Sequence, residues 1–157
     1  MKVILKSFTL TILFNIFSIF TINVISVETS LANNTDCQNT IQKAKTRIES
    51  KKTSVIAIHN YKHRYEDNPK NRPLGYVFFI SGTGVDNILN SRLFLTDITT
   101  SIIANCNSVS LVTFGVARTD AGETYGLMKN GKVEPFKCIA PNSDQQFQPN
   151  WGEQICL

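Results

Sequence analysis

The stretch that decides the fold is residues 75–118, GYVFFISGTGVDNILNSRLFLTDITTSIIANCNSVSLVTFGVAR. Its first part, Tyr76–Ile80, is apolar throughout, which predicts a central strand covered on both faces. A glycine turn, Ser81–Gly84, follows, and a helical pattern then runs to Asn105. A second apolar strand, Val109–Val116, ends the stretch. This strand–helix–strand unit predicts the centre of a sheet. The rest of the chain is expected to supply covering elements, edge strands and disulfide bonds.

The segment before this unit adds one helix and one strand. A helix is predicted over 36–50, because Asp36 can cap its first turn and apolar side chains then recur at helical spacing. Thr53–His59 is rich in β-branched residues and predicts a strand. The polar connection Asn60–Pro73 leads to the central unit, and connections of this length are often functional.

The segment after the unit predicts a hairpin. Asn130 and Gly131 form the strongest short hairpin signal, and they join strands at 125–128 and 132–134. Pro135 places the last strand at an edge, because proline cannot donate to a neighbouring strand. The tail from Pro141 to Asn150 has the composition of a loop. The element order is therefore α-β-β-α-β-β-β, which predicts an α+β fold with two helices and an antiparallel or mixed sheet of about five strands.

Residues 1–32 have the pattern of a signal peptide. A short basic start precedes the almost wholly apolar run Phe8–Val27, and the small residues Ser30 and Ala32 stand where a signal peptidase cleaves. This pattern predicts export to the periplasm or the extracellular space, with 33–157 as a single domain that makes no membrane contact after cleavage. The alternative is an uncleaved anchor, since about 20 apolar residues can cross a bilayer.

The charge and the motif content narrow the range of functions. The 157-residue chain carries a formal net charge of +4, which is too mild to predict nucleic-acid binding. It also has no complete nucleotide-binding fingerprint or zinc-hydrolase motif, so no cofactor is predicted. We find no serine or cysteine with a plausible histidine partner, and this favours binding over catalysis.

Four cysteines, Cys37, Cys106, Cys138 and Cys156, predict two disulfides in an exported chain. A zinc site is the alternative, but no C-x-x-C pair is present. Four cysteines allow three pairings. Cys37 opens the first helix and Cys106 ends the second, so two antiparallel helices on one sheet face would join them and leave Cys138 to Cys156.

Several motifs together resemble a family of small exported cyanobacterial proteins. They are Asn-Arg-Pro-x-Gly-Tyr (71–76), Asn-Ser-x-x-Phe-x-Thr (90–96), Asn-Cys-Asn-Ser-Val-Ser-x-Val-Thr-Phe-Gly (105–115), Tyr-Gly-Leu-Met (125–128), Phe-Lys-Cys (136–138) and the terminal Trp-Gly-Glu-x-x-Cys-Leu (151–157). The similarity extends over nearly all of 33–157. It implies export and paired cysteines, and it carries over no catalytic residues because none is established for the family.

Two features have a chemical and a structural interpretation. The turn Ser81–Gly84 lies where a phosphate-binding loop would lie, but the third glycine of the dinucleotide fingerprint is replaced by Asn87, which favours a tight turn needing positive φ. His59 and His63 stand four residues apart, as metal ligands on a helix do. The predicted strand and loop there favour two unrelated histidines instead, so no metal site is predicted.

The Asn60–Pro73 connection contains a basic stretch interleaved with aromatic residues. Aromatic faces stack on sugars, and arginine binds carboxylate, sulfate or phosphate. We therefore predict that the chain is a binding module for an anionic or glycan-type ligand or a protein partner. An extracytoplasmic hydrolase or an enzyme inhibitor is the alternative. The candidate binding patch consists of Tyr61, His63, Arg64, Tyr65, Lys70 and Arg72.

Overall fold

The computed structural model describes residues 35–69, 71–140 and 149–156. The predicted signal peptide and Lys70 of the candidate patch lie outside these ranges. Contacts group the chain from Asp36 onward into one compact unit. Within the described ranges, no helix is both long enough and apolar enough to span a bilayer.

The described chain has an α+β arrangement, as predicted. The elements are α1 (35–49), β1 (Ser54–Lys62), β2 (Leu74–Ser81), α2 (Val85–Leu89), α3 (Arg92–Asn105), β3 (Val109–Val116), β4 (Gly122–Leu127), β5 (Val133–Pro135), β6 (Lys137–Ile139) and β7 (Glu153–Ile155).

Five strands form a mixed sheet in the order β1-β2-β3-β4-β5. β2 and β3 are parallel, and the other neighbouring pairs are antiparallel. The parallel pair follows from the helical crossover between these two strands, because parallel neighbours need a long connection. β6 and β7 form a separate two-stranded parallel sheet. The sequence did not predict this second sheet, since strands of three residues show too little periodicity.

All three helices contribute to one hydrophobic core with one face of the five-stranded sheet. The core includes Ile48 of α1, Ile88 of α2 and Ile102 of α3, together with Phe78 and Phe114 of the central strands. Burial of this kind stabilises the fold by about 25 cal/mol for each Å² of apolar surface removed from water. The main core cluster therefore lies between the helical layer and one side of the sheet.

The two disulfides have the predicted pairing. Cys37 in the first turn of α1 is bonded to Cys106, which directly follows α3. Arg47, near the end of α1, forms a 2.7 Å ion pair with Asp97 in the first half of α3. The two long helices therefore lie antiparallel, as the predicted pairing required. The second bridge joins Cys138 of β6 to Cys156, the residue after β7.

The glycine turn after β2 packs tightly against the connection between α1 and β1. Gly82 has a φ of +115°, which confirms the predicted need for positive φ. A Cβ added at Gly84 would collide with the carbonyl oxygen of Lys51. The backbone N–H of Gly84 donates to the carbonyl oxygen of Lys52 at 3.0 Å. The glycines thus allow a close approach of two backbones.

Two element boundaries differ from the prediction. The helical stretch after the turn is divided at Asn90 and Ser91 into the short α2 and the long α3. β1 continues to Lys62, so the first three residues of the predicted 60–73 loop belong to a strand. The reason is tertiary, because Asn60, Tyr61 and Lys62 extend the pairing with β2.

Candidate functional site

The candidate site lies on the sheet face that points away from the helices. Successive side chains of a strand point to opposite faces. Phe78 and Ile80 of β2 point into the core, so their neighbours Val77 and Phe79 point to the other side. We call this side the helix-free face. Both residues are only half-buried on it, so the prediction that this strand is covered on both faces is fully correct for the helical side and only partly correct for this one.

Cross-strand pairing arranges the helix-free face in three rows. The first row is Tyr61, Gly75, Leu111 and Gly126; the second is His59, Val77, Thr113 and Thr124; the third is Ala57, Phe79, Gly115 and Gly122. Each row runs from the edge strand β1 to β4. The two ends of this face are covered very differently.

Aromatic side chains cover the first row. His63, Tyr65, Phe136 and Trp151 form a cluster whose neighbouring ring centroids lie 5.1–5.8 Å apart, and we call this cluster the aromatic cap. A Cβ added at Gly126 would lie 2.5 Å from Phe136 and 3.1 Å from Trp151. The absence of a side chain at this glycine is therefore what lets the two rings lie directly on β4.

Polar contacts attach the aromatic cap to the rest of the fold. The Trp151 indole N–H donates to the carbonyl oxygen of Leu127 at 3.0 Å, and its backbone N–H donates to Asp67 at 2.9 Å. The hydroxyl of Tyr65 donates to the carbonyl oxygen of Glu153 at 2.9 Å. Burial, with smaller contributions from Tyr61 and Glu153, raises the pKa of Tyr65 to about 12. The hydroxyl therefore remains a hydrogen-bond donor throughout the physiological pH range.

His63 is the most buried polar member of the cap, with 7% of its surface exposed, and its ring contacts Tyr65 and Trp151. Its Nε2 lies 2.9 Å from the Ser110 hydroxyl and 3.2 Å from the carbonyl oxygen of Arg72. The Ser110 hydroxyl also donates to that carbonyl oxygen, so Nε2 carries the hydrogen and donates. Among the described residues, Nδ1 has no hydrogen-bond partner. Burial lowers the pKa of His63, and the Arg72 carbonyl bond opposes this in part.

The Arg72 guanidinium is engaged at the end of α3. Its Nη1 donates to the carbonyl oxygens of Ile103 at 2.9 Å and Val109 at 2.8 Å, and more weakly to Cys106 at 3.5 Å. The last carbonyls of a helix lack partners within the helix and carry partial negative charge. Arg72 therefore satisfies them and joins α3 to the start of β3.

The aromatic cap leaves the second and third rows uncovered, and we call them the open half of the face. Six of their eight residues are accessible: His59 is exposed, and Ala57, Val77, Phe79, Thr113 and Gly122 are half-buried. The other two, Gly115 and Thr124, are buried. The His59 and Phe79 rings meet edge-to-face with centroids 6.0 Å apart. The open half is thus a shallow, mostly apolar surface with two aromatic rings at the β1 side.

Hydroxyl groups lie where the first and second rows meet. The Thr113 and Thr124 hydroxyls of the second row lie 3.0 Å apart, with Thr113 half-buried and Thr124 buried. Burial raises the pKa of Tyr61, and the Thr113 hydroxyl opposes this in part. Hydroxyls can both donate and accept. Thr113 and the exposed Tyr61 of the first row therefore offer uncharged hydrogen-bonding groups beside the two rings.

The structure divides the predicted binding patch between two environments. His63, Tyr65 and Arg72 make the internal contacts described above. Tyr61 and Arg64 are exposed, and Tyr61 lies at the boundary between the aromatic cap and the open half. Ligand binding at these residues stays a prediction.

Sequence reasoning did not find Phe79 or Thr113 as surface groups. Both stand in strands whose neighbouring residues are apolar, so their accessible sides carry no local signal. The glycines at 115, 122 and 126 were the available signal, because glycine within a strand marks a close approach or a missing side chain.

Comparison with known proteins yields no match among family models, curated proteins or solved structures. The resemblance to small exported cyanobacterial proteins therefore stays a prediction, and the candidate function must be argued from the geometry.

Proposed function

We propose that this protein is an exported binding module that holds a glycan-type ligand on the open half of its helix-free face. The observation that carries the proposal is the pair of accessible hydroxyl-bearing residues, the exposed Tyr61 and the half-buried Thr113, on the same sheet face as the rings of His59 and Phe79. A sugar ring has an apolar face that packs on aromatic rings and hydroxyls that exchange hydrogen bonds. The open half offers both kinds of group next to each other.

Arg64 favours a glycan that carries acidic groups. It is exposed and close in sequence to Tyr61, whereas Lys62 follows Tyr61 in the strand and points to the opposite face of the sheet. Arginine and lysine bind carboxylate and sulfate groups through charge-assisted hydrogen bonds. Of the arginines in the predicted patch, Arg64 rather than Arg72 would make this contact, because the Arg72 guanidinium binds backbone carbonyls.

Export is part of the proposal, and the disulfides support it. All four cysteines of the sequence are paired, which is typical of proteins in the periplasm or outside the cell. We infer that residues 1–32 direct the chain there and are removed. Mass spectrometry of the exported product should then show an N-terminus at Asn33, and a retained Met1 would contradict this.

The experiment that tests the binding site is glycan-array screening followed by affinity measurement on the best polysaccharide. Thr113→Val removes the hydroxyl and keeps a β-branched side chain of similar size. We expect affinity to fall by about 2- to 12-fold, the equivalent of a neutral hydrogen bond of about 0.5–1.5 kcal/mol. His59→Ala should weaken binding by removing one of the two rings.

Leu93→Ala is the matched control, since Leu93 is the most exposed large apolar side chain described, at 88%, and lies on α3. It should bind as the unaltered protein does. The proposal is wrong if no glycan is retained, or if the Thr113 and His59 variants bind as tightly as the control.

A further inference from the structure

The two edges of the five-stranded sheet are protected to different degrees. β5 has three residues and ends in Pro135, which has no N–H to donate. Glu134 on the same strand is exposed and adds a charge. A short strand, a proline and a charged side chain are features that prevent a sheet edge from pairing with another chain. β5 therefore cannot extend the sheet.

β1 has few of these protective features. It is nine residues long, with the sequence SVIAIHNYK, and its only charge is Lys62 at the end. Two of the four exposed large hydrophobic residues in the described chain belong to it, Ile56 at 62% and Tyr61 at 39%. A long edge strand that is rich in β-branched and aromatic residues readily pairs with another strand.

The protection that β1 does have lies at its beginning. The pairing with β2 is interrupted by a bulge between Val55 and Ala57. The Val55 N–H donates to the Glu49 carboxylate at 3.3 Å. From Ala57 to Lys62 the strand is paired with β2 on one side, and in the described chain no strand lies on its other side.

We propose that β1 pairs with β1 of a second copy of this chain in an antiparallel dimer. The difference between the two sheet edges favours a second β1 as the pairing partner. Because β5 cannot pair, edge-to-edge association of this sheet joins β1 only to β1, which is a twofold contact that closes at two copies instead of growing into a fibre. Antiparallel pairing also puts the two Lys62 residues at opposite ends of the interface, so the only charges on the paired strands do not meet.

The dimer would join two open halves into one surface. Residues opposite each other in a sheet point to the same face. The set Ala57, His59 and Tyr61 of one copy would therefore lie beside the same set of the other, and both helical layers would lie on the opposite side. If the proposed function holds, a glycan chain could contact both copies; the pairing of the edges does not depend on that function.

Sedimentation velocity over a range of concentrations tests the proposal. We expect the purified protein to shift from monomer to dimer as its concentration rises through the micromolar range. Tyr61→Lys places a charge on the paired edge and should raise the dissociation constant by about tenfold or more. Leu93→Lys makes the same change on α3 and should leave the dissociation constant unchanged.

A second pair of variants tests the strand direction. In an antiparallel pair, Ile56 of one copy lies near Lys62 of the other, so Ile56→Asp should dimerise more tightly than Ile56→Lys. Equal dissociation constants for the two variants, or a tighter dimer of Ile56→Lys, would contradict the antiparallel arrangement.

Hydrogen exchange needs no variant and gives an independent readout. Raising the concentration of the unaltered protein should slow exchange of amides in 57–62 and leave those in β5 unchanged. A protein that is monomeric at all concentrations, a dimer that Leu93→Lys dissociates equally, or protection that appears elsewhere would overturn the proposal. A monomer that still binds glycan through Thr113 would overturn the dimer and leave the proposed function standing.

Discussion

Removal of the Cys37–Cys106 bridge should destabilise the domain more than removal of the Cys138–Cys156 bridge. The first closes a sequence separation of 69 residues, which includes β1, β2 and α2. The second closes a separation of 18 residues. The chain-entropy relation assigns the long loop about 4 kcal/mol and the short loop about 3 kcal/mol of the free energy of unfolding.

Packing adds to this difference in the same direction. Cys106 is 3% exposed and belongs to the hydrophobic core, whereas Cys138 is exposed. Replacing the first pair with alanine therefore leaves a small cavity between α1 and α3. It also removes the cross-link that restricts the unfolded chain. We expect the two double-alanine variants to differ by at least about 1 kcal/mol, out of a total stability of about 5–15 kcal/mol for domains of this kind.

Urea unfolding of both variants, followed by far-ultraviolet circular dichroism and by Trp151 fluorescence, measures these free energies. Trp151 is the single tryptophan, and it lies inside the loop that the second bridge closes. Coincident transitions with the two probes would show two-state unfolding and make the comparison valid. An equal loss in both variants, or a greater loss from Cys138→Ala with Cys156→Ala, would refute the reasoning from loop length and burial.

Three further predictions follow from side chains whose contacts differ from those of a close counterpart. Arg72→Met should lower the free energy of unfolding by about 1.5–3 kcal/mol because the α3 carbonyls lose a charged donor, while Arg64→Met at an exposed position should change it little; equal effects in chemical denaturation would contradict this. His63 has a lowered pKa, so its stability contribution is complete above the unfolded-state pKa of about 6.5 and is lost as the pH falls from there towards the folded-state pKa. His63→Phe should remove this part of the pH dependence and His59→Gln should retain it, and a pH profile unchanged by His63→Phe would exclude the assignment. Gly84→Ala should reduce the melting temperature sharply, because its Cβ would collide with the Lys51 carbonyl oxygen. An unchanged melting temperature would show that the close approach of these two backbones is not needed for stability.

The central strand–helix–strand unit could be predicted because its elements are long. β2 and β3 each have eight residues, and α3 has fourteen, which is enough for a period to show. The disulfide pairing followed from the predicted order of helices and strands, because two antiparallel helices on one sheet face bring Cys37 close to Cys106. The β6–β7 sheet has three residues in each strand, and its formation depends on the bridge and on side chains far along the chain. No local pattern contains that information.

The candidate patch shows why polarity in a sequence does not identify a surface. His63, Tyr65 and Arg72 stand in a polar, charged stretch, and sequence alone places them in solvent. Their burial is decided by groups outside the stretch: Ser110 binds His63, and the Val109 carbonyl binds Arg72, at separations of 47 and 37 residues. A polar side chain can be buried when such partners satisfy it.

Glycines on the helix-free face offered the missing information about where the aromatic cap would lie. Gly75 and Gly126 interrupt strands in which neighbouring residues are large, and a glycine there weakens a strand unless something occupies the space. A Cβ at Gly75 would lie 2.5 Å from Leu111 and 3.1 Å from Tyr61, and Gly126 is covered by the cap rings. Because both glycines lie in the first row, the covering groups had to be large side chains from outside their own strands. The second and third rows have no comparable cover from the cap, and this difference leaves Thr113 and Phe79 accessible for the ligand proposed above.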